Sequence, residues 1–113
     1  MPSSVPLPAR ETSVSRLAKF FPEAVPVRLS VRLKRMSGQA TSLEENTVIE
    51  FGTSREVLFS TRLPLEFADN LHVENADGSL NVEVSVVALQ YQNGSTAVAA
   101  RFTKAVPHWI VKP

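Results

Sequence analysis

By type and spacing, the residues of this 113-residue chain best suited to chemistry are arginines. Arg28 and Arg32 stand four apart in Arg28-Leu-Ser-Val-Arg32, and Arg35 follows three residues later. A guanidinium fork binds a phosphate or a guanine edge through paired hydrogen bonds, and its plane stacks on a base. Thr53-Ser54-Arg55 adds two hydroxyls and another cation in a turn. Arg28, Arg32, Arg35, Thr53, Ser54 and Arg55 therefore form the candidate ligand-binding set, and an anionic nucleotide is the ligand that they suit. The Arg-x-x-x-Arg spacing also arises by chance. On a strand it puts both arginines on one face about 13 Å apart, at ~3.3 Å per residue, and that reads equally well as a solvated face.

The remaining reactive groups do not gather. The chain has no cysteine, which removes disulfides, thiolate metal sites and a cysteine nucleophile. His72 and His108 are far apart, and neither has a neighbour at metal-ligand spacing. Ser54 and Ser60 lack the glycine frame of a nucleophile elbow. Glu50 and Glu56 flank the Thr53 turn and are the one pairing of carboxylates that acid–base work would use, with surface solvation as the plainer role. No base, nucleophile and oxyanion donor converge, so the expectation is a binding protein with no catalytic residue, no metal and no cofactor.

The elements that must position these residues are mostly strands. Thr12 or Ser13 can cap a short helix, with Val14, Leu17, Ala18 and Phe21 on one face and Pro22 at its end, giving a helical segment over 12–22. From Val25 the period becomes two. Val27, Leu29, Val31 and Leu33 point one way, and Arg28, Ser30, Arg32 and Lys34 the other. Residues 37–46 read as a polar turn, followed by strands at Thr47–Phe51, Val57–Ser60 and around Leu71 and Val73. Asp77-Gly78 and Asn93-Gly94 are hairpin turns. In the long fifth strand the apolar phase slips from Val86 to Val87, Leu89 and Tyr91, the mark of a β-bulge. A sixth strand runs from about Thr96 to Lys104, and the tail that follows, with Trp109, packs across an open end. The fold class is all-β, a small six-stranded antiparallel barrel over residues 23–113 with a short N-terminal helix and a flexible tail at 1–11.

Composition agrees with one ordinary globular domain: 43% hydrophobic, 20% charged, and a net charge of +1 from 12 basic and 11 acidic residues. That balance makes nucleic acid an unlikely partner. Single-stranded nucleic acid would further need exposed aromatics along a basic groove, and seven of the eight aromatics stand in apolar-phase or terminal positions. No secretory leader and no apolar run of about 18 residues is present, which points to the cytoplasm and to no membrane insertion.

Three segments, VPVRLSVRL, VIEFGTSREVLFST and a long strand joined through Asn93-Gly94 to AVAARF, together resemble the PilZ family over about residues 20–104. The resemblance implies a six-stranded antiparallel barrel and, as ligand, the bacterial messenger cyclic di-GMP. That family reads the messenger through Arg-x-x-x-Arg ahead of the first strand and Asp/Asn-x-Ser-x-x-Gly before the third. Here the first motif falls at about Phe20 and Ala24, and the second on Phe51, Thr53 and Glu56. Only Thr53 is a conservative match, and Glu56 puts a negative charge where an anion would sit.

The expectation is therefore a degenerate member of the family: a non-enzymatic regulatory or adaptor domain acting through protein contacts in motility, pili, exopolysaccharide or biofilm control. Its candidate protein-interface residues are Phe20, Phe21, Lys34, Trp109 and Ile110. Trp109 and Ile110 read first as a lid over the core and second as an exposed anchor. Cyclic di-GMP binding through the arginines and the Thr53 turn is the alternative. A barrel that leaves edge strands open can also pair two copies.

Overall fold

The computed structural model describes residues 12–37, 40–92, 94–106 and 109. It is an all-β fold: a closed antiparallel barrel in the order β1-β2-β3-β6-β5-β4 with one short helix. The strands are β1 (Val25–Ser37), β2 (Ala40–Gly52), β3 (Glu56–Thr61), β4 (Asn70–Asn75), β5 (Asn81–Gln92) and β6 (Ser95–Phe102). The expected tail at 1–11, together with His108 and Ile110, lies outside the described residues.

The helix α1 (Ser13–Ala18) starts where the capping residues predict. The Thr12 hydroxyl accepts from the Ser15 amide at 3.0 Å, and the Ser15 hydroxyl accepts from the Thr12 amide at 2.8 Å. This reciprocal cap satisfies two amides that a helix start leaves unpaired. Thr12→Ala is expected to cost about 1 kcal/mol in urea unfolding, with the barrel otherwise intact. The helix ends at Ala18, a full turn before Pro22, because the chain tightens into three-residue turns: Phe20 and Phe21 donate back to Leu17 and Ala18, and Ala24 to Phe21. These turns deliver Val25 to β1.

The described part of the polar segment 37–46 is strand and not turn: Ser37 ends β1. Ala40 onward belongs to β2, paired from Ala40↔Ser37 up to Gly52↔Val25. Its charges are matched rather than looped out. Glu44 lies opposite Lys34 on β1. Glu45 lies opposite the buried Leu33, and its carboxylate accepts from the Thr61 hydroxyl and, at 3.0 Å, from the Arg62 amide. A carboxylate in the inward phase hides the alternation that marks a strand.

The core fills the barrel. Val31, Leu33, Ile49, Val57, Phe59, Leu71, Val73, Val84, Val86, Val98 and Ala100 are buried there, with Leu63 and Leu80 at its margins. A second cluster lies outside the wall, where Val14 and Leu17 of α1 cover Leu58, Ala97 and Ala99. β3 and β6 are thus buried on both faces, which makes them read as unbroken apolar runs rather than alternating ones. The bulge in β5 falls at the expected place: the register with β6 jumps between Val86↔Ala100 and Ala88↔Ala99. After it, however, β5 has left the ladder with β4, which ends at Ser85, so beyond Val87, which packs against the cluster beneath α1, the new apolar phase turns to solvent. Tyr91 is 74% exposed.

Candidate functional site

The six candidate ligand residues do not form one site. Arg28 and Arg32 are exposed on β1, and Arg32 donates to the Asn46 side chain at 3.5 Å. Arg35 has the opposite phase. It donates to the Pro64 carbonyl at 3.2 Å and stands 3.7 Å from Asp69, tying the β3–β4 connection to the far end of β1. Thr53, Ser54 and Arg55 lie at the other end of the barrel, in the β2–β3 turn level with Val25. Arg35 thus clamps the β3–β4 connection to β1, with its charge beside Asp69.

The β2–β3 turn is a closed unit. Thr53 is 4% exposed. Its amide donates to the Glu56 carbonyl at 2.9 Å, and its hydroxyl accepts from the Arg55 and Glu56 amides at 2.9 Å each. The same hydroxyl donates to the Glu56 carboxylate. The other carboxylate oxygen takes Arg101 of β6 at 2.8 Å from one guanidinium nitrogen and 3.0 Å from Nε. Glu56 and Arg101 are direct cross-strand partners. The repulsive charge expected of Glu56 is neutralised from within the chain, where charge-assisted bonds of this kind are strongest.

A lid completes the unit. The Trp109 indole donates to the Thr53 carbonyl at 2.8 Å and meets the Phe102 ring edge-on, with centroids 5.5 Å apart. Its ring lies over Gly52, where any Cβ would overlap the indole carbons Cζ2 and Cη2. Trp109 therefore lies as a lid over Gly52 and Thr53, the first of its two readings. Ser54 and Arg55 alone remain exposed in the turn.

The other interface candidates divide. Phe20 is 76% exposed, while Phe21 packs against the cluster beneath α1. Lys34 is tied to Glu74 at 2.8 Å. That bond, and then the lysine charge, hold the Glu74 carboxyl below its ordinary range. Because the folded value is the lower one, the pair's contribution is present above the unfolded carboxylate range and fades as pH falls through the folded value. Glu50 accepts from the Thr12 hydroxyl at 3.3 Å while Glu56 is held by Arg101, so the two carboxylates serve separate contacts.

Two features escaped the sequence. Arg101 becomes visible only once β3 and β6 are in register. Phe67, in the β3–β4 connection, is 70% exposed, so with Phe20 and Tyr91 three aromatics face water, more than their phase and position imply. Phe67 and Tyr91 lie along β5 and its neighbouring turn, with β4 between β5 and the Arg28 and Arg32 of β1. An open groove of about 530 Å³, lined among others by Ser30, Arg32, Asn46 and Glu74, sits between β1, β2 and the end of β4. Among the described residues, no group of three His, Asp or Glu side chains is placed to hold a metal, and no helix is long and apolar enough to cross a membrane. No family model and no curated protein matches the chain.

Proposed function

We propose that this chain is a regulatory or adaptor module of the PilZ kind that acts through protein contacts and carries out no reaction. The observation that supports this reading is the closed β2–β3 turn. The hydroxyl and amides of the Thr53 turn are spent on one another and on Glu56, Arg101 satisfies the carboxylate, and Trp109 covers the backbone. A nucleotide would have to displace all of these. The arginines meant to reach its phosphates are spread between the outer face of β1 and the opposite end of the barrel. The processes that the resemblance brings with it are bacterial motility, pili, exopolysaccharide and biofilm control, with the protein acting in the cytoplasm.

Calorimetric titration with cyclic di-GMP at about 100 μM is expected to give no heat, and the same addition no shift in melting temperature, since a ligand well above its Kd stabilises the fold by mass action. Micromolar binding that Arg28→Ala abolishes would overturn this reading and return the messenger to the site.

A further inference from the structure

Two strands of the barrel run past their neighbour. β1 pairs with β4 only over Val31–Arg35, which leaves its stretch from Val25 to Ser30 beyond that ladder. β5 pairs with β4 only up to Ser85, and the turn before β4 adds one more rung, with Ala68 donating to Val86 and Val86 to Asp69. From Val87 to Gln92, β5 has β6 on one side and, among the described residues, no strand on the other. An open edge presents unpaired amides and carbonyls to any strand that approaches, and natural edges are guarded by charge or proline. The β1 edge has both guards, in Pro26 and Arg28. The β5 strand supplies neither, and Arg16 of α1, whose guanidinium donates to the Gln92 side chain, brings a charge only to its last residue. Between Glu83 and Arg101 the sequence contains no Asp, Glu, Lys or Arg, in a chain where charged residues make up 20%.

The two ends of this unguarded edge carry exposed aromatics. Tyr91 stands at one end. At the other, beside Val86, is the turn that carries Phe67. That turn is held firmly. Ala68 has φ +71°, which costs a non-glycine residue about 1 kcal/mol or more, and it is kept there by its bonds to β5 and by the Asp69 carboxylate accepting from the Glu66 amide at 2.8 Å. Phe67 is therefore presented on a fixed support.

We propose that the Val87–Gln92 edge of β5 pairs antiparallel with the same edge of a second copy of this chain. The argument for a second copy is self-complementarity. A two-fold axis at Leu89 sets Val87 of one copy beside Tyr91 of the other, residues of the same face as antiparallel pairing requires. It brings each Phe67 to the Tyr91 of the second copy, twice over. An uncharged strand meets itself with no like charges opposed, whereas a partner chosen by charge would find nothing to read. Leu89, 37% exposed, is covered at the centre. The dimer does not depend on whether the β2–β3 turn takes a ligand.

Sedimentation equilibrium of the 12.4 kDa chain from about 5 to 500 μM tests it. The expected result is a mass rising to that of two copies, with amide exchange within Val87–Gln92 slowing over the same range. Tyr91→Lys and Phe67→Ser, both surface changes, should each weaken the dimer by about 30-fold, the effect of losing an interface hot spot. Phe20→Ser, equally exposed but elsewhere, should leave it unchanged. A monomer at every concentration overturns the proposal. So does a dimer indifferent to Tyr91→Lys and Phe67→Ser, or one that Phe20→Ser disrupts equally.

Discussion

Phe59→Ala is expected to destabilise the barrel by about 3–5 kcal/mol, the cost of removing a buried ring and leaving a cavity that its surroundings only partly fill. Phe59 is fully buried and is the largest such side chain among the described residues. It sits in the middle of the sheet, opposite Ile49 on β2 and Val98 on β6. The closed wall holds these neighbours apart, so they cannot collapse into the gap. Against the 5–15 kcal/mol of a typical domain this is a large share. In urea the midpoint should fall with the slope unchanged, as it does when stability alone is altered. Phe67→Ala removes the same ring from an exposed turn, and in the monomer it should stay within about 0.5 kcal/mol of the parent. Similar losses for the two variants would mean that Phe59 is not at the centre of the core.

Gly52→Ala is expected to unseat the lid. Nothing about the backbone demands glycine at this position; the space does, because the new methyl would occupy the place of the Trp109 ring. Either the indole leaves, giving up its bond to the Thr53 carbonyl and its contact with Phe102, or the strand shifts beneath it. Overpacking of this kind costs about 1–3 kcal/mol. Trp109 is the single tryptophan, so fluorescence reports on this contact alone. The emission of the folded variant should move to the red, toward that of a hydrated indole, while the far-ultraviolet strand signal persists. An unchanged spectrum would place Trp109 somewhere other than over Gly52.

What could be read from the sequence was local. Alternation from Val27 to Leu33, the Thr12 cap, and the glycines at 78 and 94, with φ of +77° and +85°, each announce structure through neighbours a few residues away. So does the slip at Val86–Val87, because a bulge is written in one strand's own phase. What was lost depends on distant partners. The start of β2 looked like a turn because Glu45 occupies an inward position, and its partners, Thr61 and Arg62, lie 16 and 17 residues on. The carboxylate of Glu56 looked like a repulsive intruder until Arg101, 45 residues away, came beside it. Arg35 shares a spacing pattern with Arg28 and Arg32 but has the opposite phase, and three residues along a strand always change faces. Tyr91 follows the apolar phase of β5 and is still exposed. Phase says which way a side chain points, and the end of the β4 ladder at Ser85 says whether anything is there to meet it.

The cluster beneath α1 also bears on the order of events during synthesis. The helix is made before any strand, yet the surface it covers comes from Leu58 on β3 and from Ala97 and Ala99 on β6, the strand made last in the barrel. Until β6 has left the ribosome, Val14 and Leu17 have no wall to dock on, β3 lacks its neighbour, and the barrel cannot close. The first and last elements thus complete each other, and no shorter N-terminal piece contains a finished core. Folding should wait for about residue 102 and then proceed in one cooperative step. Its rate should be that of chains dominated by distant pairings, milliseconds to seconds rather than microseconds.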